Sequence, residues 1–132
     1  MRHKWVMVPL IVSILALLAI AQAEPNIEGK WLGTLTFSGT DLRVVFNISK
    51  NPEGNLITTL DSPDQGAKDI PVEETSFLNN HLHLSIKAIG GSFDGDIDAQ
   101  YSAITGTWNQ NGASLPLILK RTDKVAELVR PQ

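Results

Sequence analysis

Cysteine is missing from the chain altogether. The fold therefore carries no disulfide staple, and no cysteine follows the leader to take a lipid anchor. Aromatic residues make up only 6% of the sequence, and charged residues 19%, with a net charge of −3. Nucleic acids and anionic membranes are both bound through a basic face, so this weakly acidic balance excludes them as partners. Fixed-period repeats are also lacking, apart from a Gly-x-Trp near each end of the fold, and so are low-complexity segments.

The first 23 residues read as a leader. Arg2, His3 and Lys4 form a positive start, Trp5 to Ile20 an apolar core, and Ala21-Gln22-Ala23 a small-x-small cleavage signal. A membrane-spanning helix needs about 20 apolar residues; this stretch is shorter and contains Pro9. Cleavage after Ala23 leaves Pro25 at the second mature position. The expected location is periplasmic or secreted, with no stable membrane anchor once the leader is gone. Loss of Arg2 and Lys4 takes the net charge from −3 to near −5 and leaves His81 and His83 as the histidines. About a hundred residues suffice for one core and are too few for two. The expected organisation is a signal peptide at 1–23, one domain at 24–121 and a tail or linker remnant at 122–132.

Past the leader, apolar residues recur at every second position in short runs separated by Gly, Asn and Pro turns, as hairpins require. Trp31, Gly33, Leu35 and Phe37 share one face of a first strand, with Leu32, Thr34 and Thr36 on the other. Ser38-Gly39 turns into a second strand with Leu42, Val44, Phe46 and Ile48 inward, and residues 51–54 turn into a third at 55–60. A fourth, at about 70–77, contains Pro71, Glu73 and Glu74, as an edge or bulged strand would. Asn79-Asn80 leads to a fifth with Leu82, Leu84 and Ile86 inward. Gly90-Gly91 leads to a sixth with Phe93, Gly95, Ile97 and Ala99 inward. The seventh covers about 101–108, and Asn111-Gly112 leads to an eighth with Leu115, Leu117 and Leu119 inward and Pro116 outward. Hairpins without helices allow a sandwich or a barrel. Eight strands favour the barrel, which has no edges. The predicted fold is all-β: an antiparallel eight-stranded up-and-down barrel, its interior packed or just able to hold one small ligand.

A family resemblance rests on the order of short segments. These are Gly-Lys-Trp-Leu-Gly-Thr-Leu from Gly29, Leu-Arg-Val-Val-Phe-Asn-Ile from Leu42 and Leu-Asp-Ser-Pro-Asp-Gln-Gly-Ala from Leu60. Ile-Pro-Val from Ile70, Gly-Thr-Trp from Gly106 and Ser-Leu-Pro-Leu-Ile-Leu-Lys-Arg from Ser114 complete the set. Together they resemble the N-terminal lipocalin-like β-domain of exported bacterial α/β-hydrolases (esterase and dienelactone-hydrolase-like proteins) and of some β-lactamase-like serine hydrolases. The resemblance spans residues 27–121, and 61–67 is its most specific part. It implies a β-module without the catalytic domain, which in those relatives follows a Pro-rich linker; Arg130-Pro131-Gln132 stands about where that linker would begin. More loosely, the chain resembles lipocalin-like (calycin) barrels, in which an early Gly-x-Trp is covered by an Arg or Lys from the end of the last strand. Trp31 with Arg121, or Lys120, fits that pattern.

Serine-hydrolase chemistry needs a Gly-x-Ser-x-Gly elbow on a strand–turn–helix. The nearest string, Gly90-Gly91-Ser92-Phe93-Asp94, lacks the final Gly and falls in a hairpin, while His81 and His83 alternate with core positions and point away from them. No catalytic residue is assigned, no enzyme activity is expected and no cofactor is implied. The ligand-binding candidates are Trp31, Phe46, Phe93 and Trp108 inside the barrel, with Asp61, Ser62, Asp64 and Gln65 in a loop over its mouth. That loop also reads as plain successive turns with Asp side chains on backbone amides. If Gly90-Gly91 centres its hairpin, Ser85 faces Asp94, His83 faces Asp96 and His81 faces Asp98. His81, His83, Asp96 and Asp98 would then form a metal-binding patch, although a solvated sheet face shows the same alternation. The expected function is an exported, non-catalytic barrel module holding a small apolar or amphipathic ligand. The alternative is an accessory domain that docks on an exported serine hydrolase.

Overall fold

The computed structural model describes residues 26–122, so the leader and all of the tail but Thr122 lie outside it. Nine strands follow in chain order: β1 Gly29–Phe37, β2 Thr40–Lys50, β3 Leu56–Ser62, β4 Ala67–Val72, β5 Glu74–Leu78, β6 His81–Ile86, β7 Gly91–Ile97, β8 Ala103–Gln110 and β9 Ala113–Thr122. Single 3-10 turns, Pro63–Gln65 and Lys87–Ile89, stand between β3 and β4 and between β6 and β7. Every pairing is antiparallel, in the order β4-β3-β2-β1-β9-β8-β7-β6-β5, and the sheet curls into a nearly closed up-and-down barrel. Three hairpins have positive φ at both central residues: Ser38 and Gly39 (52° and 79°), Asn79 and Asn80 (53° and 66°), Asn111 and Gly112 (51° and 81°). That is the type I′ geometry whose twist matches the flanking strands.

The count exceeds eight because the expected fourth strand breaks at Glu73. Its first half pairs with β3, with Leu60 opposite Ile70 and Thr58 opposite Val72. Its second half pairs with β6, with Thr75 opposite Leu84 and Phe77 opposite Leu82. One run of chain is thus handed from one neighbour to the other, and a seam without a backbone ladder remains between β4 and β5. Pro71 does not cause the break. It sits inside β4 opposite Thr59, at the end of the strand order, where a missing N–H is tolerated. Side chains fasten the seam instead. Thr75 Oγ1 bonds Thr58 Oγ1 at 2.9 Å, and the Lys87 amide donates to Glu73 Oε1 at 2.8 Å. The latter bond holds the Glu73 carboxyl below its ordinary pKa.

One apolar cluster forms the core of the barrel, with Trp31, Phe46, Leu60, Leu84, Phe93 and Trp108 among its members. Each fully buried side chain of this kind contributes about 1.5–3 kcal/mol. Ala99, expected inward, lies exposed beyond the end of β7. The first and last strands meet at Lys30–Thr122, Trp31–Arg121 and Leu32–Lys120. There Trp31 closes one end. Its Nε1 donates to the Ile27 carbonyl at 2.9 Å, and the Arg121 guanidinium carbon stands 4.4 Å from the ring centroid. Arg121, rather than Lys120, covers the ring, and it donates to the carbonyls of Glu28 and Asn26 at 2.6 Å and of Tyr101 at 3.1 Å.

Candidate functional site

The up-and-down order gathers the turns at Ser38-Gly39, Pro63–Gln65, Lys87–Ile89 and Asn111-Gly112 at the end opposite Trp31. The two 3-10 turns are built alike. Each is followed by a left-handed glycine, Gly66 at φ 69° or Gly90 at φ 65°, which donates its amide to the first carbonyl of the turn at 3.2 Å. The residues just before those glycines, Gln65 and Ile89, reach over the barrel mouth and line the same cavity. This inner chamber holds about 180 Å³, walled by Leu35, Val44, Leu60, Ile70 and Trp108, with Ser62, Gln65 and Gln110 supplying its polar atoms. An outer chamber of about 210 Å³ adjoins it toward the β1–β2 and β8–β9 turns, where half-exposed Phe37 and Leu115 stand. Leu35, Leu42, Trp108 and Gln110 border both chambers, and no charged side chain lines either.

Trp108 is fixed from two sides. Gly91 provides its seat, for a Cβ there would come within 2.6 Å of the indole. Its Nε1 donates to Gln110 Oε1 at 3.1 Å, and Gln110 Nε2 donates to the Ile89 carbonyl at 2.9 Å, tying the second turn to the wall. The first turn is held by Ser62 Oγ, which donates to Gln65 Oε1 at 2.8 Å. Gln65 Nε2 has no partner among the described residues.

Of the four aromatic candidates, only Trp108 lines the cavity. Trp31, Phe46 and Phe93 are wholly buried, and the Phe46 ring stands 6.3 Å from Phe93 and 6.4 Å from Trp108. The barrel is therefore packed in one part and open in another. The loop candidates divide in the same way: Ser62 and Gln65 face the chamber, whereas Asp61 and Asp64 brace the wall. The β2–β3 ladder ends at Val45–Asp61, and Asp64 takes over from it. Its carboxylate accepts the Arg43 amide at 2.9 Å and pairs with the guanidinium, so a side chain replaces the missing strand. Asp61 accepts from Asn47 Nδ2 at 3.1 Å and from the Asp69 amide at 2.8 Å, next to a left-handed Asp69 at φ 57°. Ile89 and Gln110 were not among the sequence candidates. The one available signal was that Ile89-Gly90 repeats the residue-then-glycine step of Gln65-Gly66.

The histidine face is shifted by two residues from its expected register, because the Lys87–Ile89 turn lengthens the hairpin. His81 lies opposite Asp96, His83 opposite Asp94 and Ser85 opposite Ser92. Asp98 is not part of the patch. It accepts the Ser102 amide and hydroxyl, both at 2.7 Å, in the β7–β8 turn, and the amide bond above all keeps its pKa below the ordinary value. Glu74 joins instead, giving a row of Asp96, His81, Asp94, His83 and Glu74. Each imidazole nitrogen faces a carboxylate, and no group of three or more His, Cys, Asp or Glu among the described residues is placed to hold a metal ion.

The two nitrogens of His81 lie 2.8 Å from Asp96 and 3.2 Å from Asp94, and these bonds, Asp96 first, raise its pKa. A raised folded-state pKa gives stability that is complete below the unfolded value, about 6.5, and is lost as pH rises through the folded value. The urea midpoint of the wild type is therefore expected to fall more between pH 6 and pH 8 than that of His81→Gln. An NMR titration placing His81 at or below its ordinary pKa would contradict this. Compared with protein-family models, curated proteins and solved structures, the chain matches none of them.

Proposed function

We propose that this chain is an exported, non-catalytic β-barrel module that binds one small apolar or amphipathic molecule at the open end of the barrel. The carrying observation is the pair of adjoining apolar chambers beside Trp108, of about 180 and 210 Å³. Jointly they reach the lower part of the roughly 300–1,000 Å³ range of small-molecule sites. Protein interiors are otherwise close-packed, and this one is so around Trp31, Phe46 and Phe93. Space left at one end, roofed by two matching turns, is what a ligand would fill.

The non-catalytic reading rests on the sequence, in which the nearest string to a nucleophile elbow, Gly90-Gly91-Ser92-Phe93-Asp94, lacks the final glycine; Ser92 sits within β7 opposite Ser85. Export rests on the leader pattern at 1–23, and docking on an exported hydrolase rests on the sequence resemblance.

A neutral apolar dye, N-phenyl-1-naphthylamine, tests the binding reading. Its fluorescence is expected to rise with one-site saturation, and Leu42→Trp, which fills the wall shared by the chambers, is expected to abolish the rise without lowering the Tm by more than a few degrees. No saturable binding of the dye, 1-octanol or toluene would overturn it.

A further inference from the structure

We infer that the ligand of this site is uncharged: a neutral amphiphile whose apolar part fills the inner chamber and whose polar head accepts a hydrogen bond from Gln65 at the mouth. The inference rests on the binding reading above and narrows it to a chemical class.

Charge is the first argument. Neither chamber is lined by an ionisable side chain. An ion drawn between Leu60, Ile70 and Trp108 would shed its water and meet no counter-charge, which is why buried ions are found paired or not at all. The nearby cation Arg43 is already held by Asp64 through its guanidinium and its amide. Lys68, three residues beyond Gln65, is exposed to water.

Hydrogen-bond capacity is the second. Gln110 uses its oxygen for Trp108 and its amide nitrogen for Ile89, and the Ser62 hydroxyl hydrogen goes to Gln65. What remains at the mouth is a set of donors: the NH₂ of Gln65, on a side chain exposed to water, the second N–H of Gln110, and the carboxamide of Asn111 on the outer chamber. A carbonyl, hydroxyl or amide oxygen on the ligand would match them.

Size is the third. A dry cavity of about 150 Å³ lined by Leu, Ile and Phe takes a benzene. The inner chamber, at about 180 Å³, suits one ring or an alkyl chain of similar bulk, with the rest of the ligand in the outer chamber.

The test is a calorimetric titration of the full chain at neutral pH with four eight-carbon probes: 1-octanol, octanamide, octanoate and octylammonium. The alcohol and the amide are expected to bind at least tenfold more tightly than either ion. Gln65→Met is expected to weaken both neutral probes at least threefold while its binding of N-phenyl-1-naphthylamine holds. Should that variant fold poorly, the wild-type ranking decides alone. Ions binding as tightly as the alcohol would overturn the inference and leave the binding site standing. Tight octanoate binding lost in Lys68→Gln would do the same and point to a carboxylate held at the rim. If no probe binds while the dye does, this inference alone falls; if the dye fails as well, the binding reading falls with it.

Discussion

Trp31→Ala is expected to remove about 3–5 kcal/mol of stability. Three losses combine. A fully buried indole disappears from the closed end of the barrel and leaves a cavity. The Ile27 carbonyl loses its donor inside the fold, and an unsatisfied buried acceptor is itself costly. Arg121 loses the aromatic face under its guanidinium, a contact worth about 0.5–2 kcal/mol by itself. Against the roughly 5–15 kcal/mol that a domain of this size has in total, this should leave the variant poorly folded on mild warming. Trp31→Phe keeps a ring in place and should lose clearly less. Urea denaturation of the three proteins is the measurement, and a Trp31→Ala loss below about 1 kcal/mol, under the range for aromatic truncation, would mean that the tryptophan does not close the barrel.

Gly106→Ala should be nearly as damaging, for the opposite reason. Gly106 lies opposite Gly95 on the β7–β8 ladder. A Cβ at Gly106 would fall 2.1 Å from the Asp94 carbonyl oxygen and 2.5 Å from the Gly95 Cα. These are backbone atoms and cannot swing aside as a side chain would, so the two strands must separate. Overpacking usually costs about 1–3 kcal/mol, sometimes more, and a backbone clash on this scale belongs at the upper end. Gly95 offers no relief, because the Phe93 ring already occupies the space over it. The displaced residue, Asp94, also bonds His81 and His83, so the His81 pKa should drop back toward its ordinary value. Gly112→Ala is the control: it has a positive φ but open space around it. Equal melting temperatures for the two variants would refute the close-approach argument.

Much of the barrel was legible because its signals are local. A period of two assigns each side chain to a face, and Ser38-Gly39, Asn79-Asn80 and Asn111-Gly112 carry the backbone freedom of their turns in their own residues. What escaped depends on residues far apart in sequence. The break at Glu73 follows from β3 and β6 competing for one run of chain, which neither Pro71 nor the two glutamates reveals. The β6–β7 register escaped because Gly90-Gly91 looks like a two-residue turn, and a single 3-10 turn before it has no periodic signature. In the candidate site, Trp108, Ser62 and Gln65 could be read from an inward alternation and a distinctive loop. Asp61 and Asp64 belonged to the same loop but were drawn to backbone amides outside the cavity. Ile89 and Gln110 become wall residues only when β8 comes alongside the Lys87–Ile89 turn.

Every ladder but one joins strands that follow each other closely along the chain; the exception is β1 with β9. That single junction brings Glu28 to Arg121 across 93 residues. Loop closure of this length carries an entropy cost that short hairpins escape, and distant pairings are the slow ones. The hairpins are therefore expected to assemble before the Arg121 fork settles over Trp31. Contacts absent from a folding transition state act on the rate of unfolding. The Trp31–Arg121 junction is thus expected to be a clasp in time as well as in space, with Arg121→Ala shortening how long the closed ring lasts, as stopped-flow unfolding would show.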